Sequence, residues 1–108
     1  MTLDDFMELC EKNHLQAEEY SKNWYIANIK SKFIKATWII CYCTTDEKTV
    51  LPNDISTDGK TITYNGNVLY NETDFNCKLK VVRELVRLCK QREVENKLED
   101  LKNDFLLR

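Results

Sequence analysis

Two cysteines one residue apart, Cys41 and Cys43, are the side chains of this sequence with the most evident capacity for chemistry. In a strand both thiols would face the same side, about 7 Å apart, and two thiolates could bind zinc. A structural zinc site needs four ligands, however, and the other cysteines and the only histidine, His14, are remote in sequence. The sequence also lacks a Cys-x-x-Cys redox motif. We therefore predict buried strand thiols, no bound metal and no cofactor.

Catalytic constellations are equally scarce. His14 could act as a base only if the fold brought it to a nucleophile, and no Gly-x-Ser-x-Gly elbow accompanies it. Neither of the two glycines stands in a phosphate-binding loop. The acidic pairs Asp4-Asp5 and Glu18-Glu19 are most simply the solvated face of a helix. We predict no catalytic residue, so the sequence does not indicate an enzyme.

The composition is typical of one soluble globular domain, which we expect to span residues 1–108. Hydrophobic residues make up 43% and charged residues 31%, and the formal net charge of −2 is too small to indicate a class of partner. No apolar run reaches 18 residues, so we predict no membrane association. The odd number of cysteines and the acidic N-terminal segment favour a reducing, cytoplasmic location, which would be the host cytoplasm for a phage protein.

The N-terminal third mixes helical and strand signals. Apolar residues recur at steps of three and four from residue 3, which predicts a helix over 3–22 with a break near Asn13. Residues 24–35 fit either a helix or a strand, and their isoleucines favour the strand. Residues 36–44 alternate apolar side chains on both sides, so we expect this strand to be central and largely covered.

The middle of the chain predicts short strands joined by tight turns. Asp58-Gly59 and Asn65-Gly66 are the two strongest hairpin turns, and Pro52 ends the strand before them. We expect a meander that completes an antiparallel sheet of four to five short strands. The strands of this meander are predicted at 49–51, 54–57, 60–64 and 67–70.

A long helix is predicted from Thr73, with Asn71 or Thr73 as its cap. The apolar stripe of its first half and that of its second half differ in register by about one residue. Two interpretations stay open: a continuous helix whose second half, 93–108, projects from the domain, or a break near 91–93 that folds 94–108 back onto the sheet. The predicted fold class is therefore α+β, with an N-terminal helix, an antiparallel sheet and this C-terminal helix.

Two groups of basic residues could contact nucleic acid or an acidic partner. Segment 22–38 interleaves lysines with aromatic residues, as single-strand binding sites do, although such lysines also protect strand edges. Segment 78–92 forms a basic helix face, which could equally lie beside the acidic residues of segment 1–20. The candidate contact residues are Lys30, Lys32, Lys35, Lys80, Arg83, Arg87 and Lys90.

The second half of the long helix carries an apolar seam, formed by Val94, Leu98, Leu101 and Phe105. If the helix projects, this seam is exposed in a monomer, and exposed stripes of this kind mark binding sites. We expect it to form a homodimer or to dock on a groove of another protein.

Together these features predict a small non-catalytic interaction protein that binds a protein partner stoichiometrically. The Lys- and Asn-rich composition resembles that of short reading frames from phages and mobile elements of low-GC bacteria. The most concrete version of the predicted interaction protein is an inhibitor of a host defence system, of the anti-CRISPR kind. The alternative function is a small nucleic-acid-binding protein that uses segment 22–38 or the basic helix face 78–92.

Overall fold

The computed structural model describes the backbone of residues 1–106 and the side chains of residues 1–98. It confirms the predicted α+β class: an N-terminal helix, a five-stranded antiparallel sheet with a second sheet of two strands, and a long C-terminal helix. The elements in chain order are α1 (Leu3–Lys12), β1 (Gln16–Ser21), β2 (Trp24–Asn28), β3 (Ile40–Cys43), β4 (Lys48–Leu51), β5 (Asp54–Thr57), β6 (Ile62–Asn65), β7 (Val68–Leu69) and α2 (Glu72–Leu106).

Helix α1 begins at a capping box. Thr2 Oγ1 accepts a hydrogen bond from the Asp5 N–H (3.2 Å), and Asp5 Oδ2 accepts one from the Thr2 N–H (3.1 Å). The helix ends because Asn13 caps it and His14 takes a left-handed backbone conformation, with φ 57°. The predicted helix over 3–22 is therefore correct up to the break near Asn13 and wrong beyond it. Strand β1 follows instead, because pairing with β2 outweighs the helical spacing of its apolar residues.

The five-stranded sheet has the order β1-β2-β3-β4-β7, so β3 is central, as predicted. The strand prediction for 24–35 is confirmed only where β2 lies, and the rest of that segment belongs to the loop before β3. The predicted strand 36–44 is likewise too long at its N-terminal end. That loop is held away from the ladder in part by Asn28, whose Nδ2 donates to the Ala36 carbonyl (2.9 Å).

Strands β5 and β6 form a separate hairpin. Its turn is the predicted Asp58-Gly59: the Asp58 carboxylate accepts two backbone N–H groups of the turn (2.7 and 2.8 Å), and Gly59 has φ 90°. The predicted single meander is wrong at Asn65-Gly66, because β7 pairs with β4 and not with β6. The backbone N–H of Asn53 reaches the Asn65 and Gly66 carbonyls (3.0 and 3.3 Å), which directs the chain back to the large sheet.

The hairpin is attached to the rest of the molecule at Ile62. This side chain is fully buried, and with Phe33 and Cys89 it forms a small second core between the hairpin, the loop before β3 and α2. Two backbone hydrogen bonds of 2.8 Å fix the same point: the Ile62 N–H donates to the Phe33 carbonyl, and the Lys35 N–H donates to the Ile62 carbonyl. Ile62 thus joins the hairpin to the loop before β3 through packing and backbone hydrogen bonds, and to α2 through packing.

Helix α2 is continuous for 35 residues, which corresponds to about 52 Å. Asn71 Oδ1 accepts the Asp74 N–H (3.1 Å) and caps its start, as predicted. The helix has no break near 91–93, so the alternative in which 94–108 fold back is wrong for the described backbone. The molecule measures 64 × 21 × 21 Å. Across the described residues, none of the helices combines the length and apolarity that a membrane crossing requires.

The main core lies between the two helices and one face of the large sheet. Phe6 of α1 stacks on Tyr42 of β3, with ring centroids 5.6 Å apart and ring planes 21° apart. Phe75, Leu79 and Val82 of α2 are buried in the same cluster. We call this side of the sheet the helix-covered face.

Candidate protein-binding surfaces

The two strand cysteines lie on the side of the sheet opposite the helices. Tyr42 belongs to the helix-covered face, and side chains alternate along a strand, so Cys41 and Cys43 point the other way. Both are buried free thiols, as predicted, and burial raises the pKa of Cys41 to about 11. Among the described residues, no three metal-ligating side chains are grouped together. Both side chains therefore lie in a packed environment, and the raised pKa keeps the Cys41 thiol protonated at neutral pH.

The strand register identifies the other side chains of this second face. Residues paired across neighbouring strands point to the same side of a sheet. One row of such paired side chains crosses all five strands, and a second row of paired side chains runs parallel to it across β2, β3 and β4. These rows define the second face by the side chains Glu18, Ile26, Cys41, Val50 and Leu69 in the first, and Trp24, Cys43 and Lys48 in the other.

No side chain of the second face belongs to either core cluster of the described residues. Its centre is shielded, because Ile26, Cys41 and Cys43 are 2–5% exposed. Its flanks are open: Trp24 is 42% exposed and Leu69 is 64% exposed. The second face is therefore apolar, with a buried centre and exposed flanks, and the expectation that β3 is central and largely covered is confirmed.

The sequence carried part of the signal for this surface. Apolar residues alternate on both sides of β3, which indicates two apolar sheet faces. Which strands flank β3 depends on non-local pairing, so Trp24, Val50 and Leu69 could not be placed beside the cysteines from the sequence.

Helix α2 carries a second candidate surface on its outer side. Exposed basic side chains recur along it at steps of three and four residues. We call them the basic stripe: Lys80, Arg83, Arg87 and Lys90. The next step of four reaches Val94 and Leu98 of the predicted apolar seam. These two side chains are 56% and 55% exposed. The side chains of Leu101 and Phe105 lie outside the described residues, so the part of the seam that they would form stays a prediction.

The basic stripe and the seam form one continuous line along the helix. A helix turns 100° per residue, which puts this line about 90° around the helix from the buried residues Phe75, Leu79 and Val82. The basic stripe and the seam, which the sequence analysis treats separately, thus lie on the same side of α2. We call this combined surface the outer side of α2.

The contacts of the basic stripe differ from those expected between acidic and basic helices. No ion pair joins α1 to α2 among the described side chains. Instead, Arg83 Nη2 donates to the Asn13 carbonyl at the C-terminal end of α1 (2.6 Å), where the helix dipole favours a cation. Arg87 pairs with Glu84 on its own helix (2.6 Å). Lys80 and Lys90 are exposed and form no ion pair with another described side chain.

The lysines of segment 22–38 differ in their relation to its aromatic rings, and Lys35 lines a cavity together with Trp38. Lys32 pairs with Glu93 of α2 (2.8 Å) and lies over the ring of Phe33, which is buried in the small core. Hydrogen bonds from Lys32 and Lys97 lower the pKa of Glu93. Lys30 and Lys35 are exposed. Of the aromatic rings of this segment, Trp24 is exposed, Tyr25 and Trp38 are partly buried and Phe33 is buried, so the segment presents one exposed ring for base stacking.

Comparison with known proteins gives no identification. No protein-family model, no curated protein and no solved structure matches this chain. Candidate binding surfaces of the described residues include the second face and the outer side of α2.

Proposed function

We propose that this chain is a non-catalytic protein that binds a protein partner stoichiometrically through the outer side of α2. The observation that carries the proposal is the exposure of Val94 and Leu98 on the same line as the basic stripe. An apolar stripe of this kind loses hydration when a partner covers it. Completing the burial of each side chain would contribute about 1 kcal/mol, roughly half of the value for full burial.

The charges indicate the chemistry of the partner surface. Lys80 and Lys90 are free of ion pairs with described side chains, so they can meet acidic groups of a partner without breaking contacts of this chain. Exposed charges steer association and fix register more than they add affinity. The surface that fits is an apolar groove for the seam, followed by acidic residues along the direction of the basic stripe.

Self-association through this surface has a specific limit. A parallel pair of α2 helices would align each basic side chain of the stripe with its own copy, which is unfavourable. An antiparallel pair avoids that contact but overlaps only along the seam, about two heptads, which is marginal for a coiled coil. A foreign partner therefore fits the outer side of α2 better than the predicted homodimer does.

The test is a pull-down with the full chain, in which the variant Leu98→Asp is compared with Val81→Asp. Val81 is 43% exposed and lies on another side of the same helix, so it serves as the matched control. We expect Leu98→Asp to lose the partner and Val81→Asp to retain it, with unchanged circular dichroism for both. Retention of every specific partner by Leu98→Asp would contradict the proposal. Inhibition of a host defence system stays a prediction, and the identity of the captured protein tests it.

Nucleic-acid binding also stays a prediction, with less support. Lys30 and Lys35 are exposed, but Phe33 is buried and Lys32 is paired. Titration of labelled single- and double-stranded oligonucleotides across a salt series tests it, because phosphate contacts give a steep salt dependence. A steep slope that is lost in Lys30→Glu/Lys35→Glu would favour this alternative over the protein partner.

A further inference from the structure

We infer that the open edge of β1 accepts an extended, basic segment of a partner protein as an additional strand of the large sheet. This edge is separate from the outer side of α2, so the inference does not rest on the proposed function. β1 is the first strand in the order β1-β2-β3-β4-β7, and no described strand pairs with its outer side. It is also the longest described strand, with six residues, whereas β7 at the opposite edge has two. A long, open edge is a site for strand addition.

The backbone of β1 presents hydrogen-bonding groups on this outer side. Ala27 of β2 is the register partner of Ala17. Its carbonyl accepts the Ile39 N–H (2.8 Å), so the backbone groups of Ala27 point toward β3 and away from β1. In an antiparallel ladder, both members of such a pair direct their backbone groups away from each other. Ala17, and Glu19 two residues further on, therefore turn their N–H and C=O groups outward, where no described residue bonds to them.

The side chains along this edge select a basic segment. Glu18 and Glu19 point to opposite sides of the sheet, so either side of an added strand passes a carboxylate. Neither carboxylate forms an ion pair with a described side chain, and β1 contains no lysine, arginine or proline. Charges on an edge discourage pairing with strands of like charge. Lysine or arginine at cross-strand positions instead stabilises the pairing.

A cavity beside β1 provides room for one of these basic side chains. It measures about 450 Å³, and Glu18 is the only charged residue among the described residues that line it. Ile26 and Ile29 give it apolar walls, on which the methylene stem of a lysine or arginine packs while the charged end reaches Glu18. A strand added about 4.8 Å beyond β1 brings such a side chain within reach. Pockets for alternate side chains give strand addition its specificity.

The same carboxylates disfavour a second copy of this chain at the edge. Two β1 strands related by a two-fold axis run antiparallel, and a register centred on Glu18 or Glu19 places that carboxylate opposite its own copy. A register centred on Ala17 avoids this contact but pairs only residues 16–18 of each β1. A foreign basic strand pairs along the whole of β1 and meets opposite charges, so it fits the edge better.

The test is fluorescence anisotropy of the full chain with a labelled octapeptide that alternates lysine and threonine. The same octapeptide with every peptide nitrogen methylated keeps the charge but cannot donate backbone hydrogen bonds, so it separates strand addition from charge attraction. We expect the lysine peptide to bind. The methylated peptide, and a peptide with glutamate in place of lysine, should bind at least about tenfold more weakly. Equal binding of the methylated peptide overturns the inference, as does a lysine peptide that fails to bind at about 1 mM.

Variants of the full chain assign the binding to β1. Glu19→Pro removes an outward N–H and should abolish binding, whereas Glu19→Gln removes only the charge and should weaken it roughly twofold to fivefold. Glu18→Lys should weaken binding about tenfold. Glu95→Lys makes the same charge change at an exposed side chain of α2 and should leave binding unchanged, with unchanged circular dichroism for every variant.

Two results with these variants would also overturn the inference. The first is equal weakening by Glu18→Lys and Glu95→Lys, which would show that binding follows net charge alone. The second is a dimer of the native chain in sedimentation equilibrium that Glu19→Pro dissociates, which would assign the edge to a second copy of this chain.

Discussion

The replacement Ile62→Ala tests the junction between the hairpin and the rest of the molecule. Ile62 is fully buried, and its change to alanine removes three carbon atoms from the small second core. At about 0.8 kcal/mol for each buried carbon, the lost transfer free energy is about 2.4 kcal/mol. The cavity left between Phe33, Cys89 and the hairpin raises the expected loss to about 3–4 kcal/mol.

The measurement is urea unfolding followed by circular dichroism, with Ile62→Val and Thr63→Ala as companions. Ile62→Val removes one carbon and should lower the free energy of unfolding by about 1 kcal/mol. Thr63→Ala changes an exposed side chain and should lower it by less than about 0.5 kcal/mol. An unchanged m-value would show that the hairpin unfolds together with the domain. A loss below 1 kcal/mol for Ile62→Ala, or a first transition confined to the hairpin, would refute the role of Ile62 as a junction.

Four other predictions follow from the described residues. Asn71→Ala removes the cap of α2 and should lower the free energy of unfolding by about 1 kcal/mol, measured by urea titration. Gly59→Ala forces a side chain onto a backbone with φ 90° and should cost about 1–2 kcal/mol, measured by thermal unfolding. Burial raises the pKa of Cys10 and Cys41 from 9.0 to about 11. The contribution of these thiols to the free energy of unfolding should therefore be complete below pH 9 and be lost as the pH rises from 9 to 11. At pH 8 a thiol reagent should label the exposed Cys77 quickly and the four buried cysteines only after unfolding.

The parts of the fold that the sequence predicts are those set by local chemistry. The capping box at Thr2, the cap at Asn71 and the Asp58-Gly59 turn each depend on side chains a few residues apart. The central position of β3 follows from its two apolar sides, which only an interior strand can bury.

The errors in the predicted secondary structure and strand order arise where contacts between distant segments determine the fold. Helical spacing continues past Asn13, but the backbone at His14 ends the helix and β1 pairs with β2. The Asn65-Gly66 pair indicates a turn and cannot tell which strands that turn connects. The second face has the same origin, because its rows exist only once five strands are aligned.

The sharing of one core by Phe6 and Phe75 has a consequence for synthesis of the chain. About 70 residues separate them, so the ribosome adds the helix that covers the sheet after every strand has been made. At an elongation rate of 5–20 residues per second, the apolar side chains of α1 and the strands stay exposed for roughly 4–14 s before α2 is synthesised. Nascent chains halted before α2 should therefore recruit chaperones that bind exposed hydrophobic segments, and chains released with α2 complete should not.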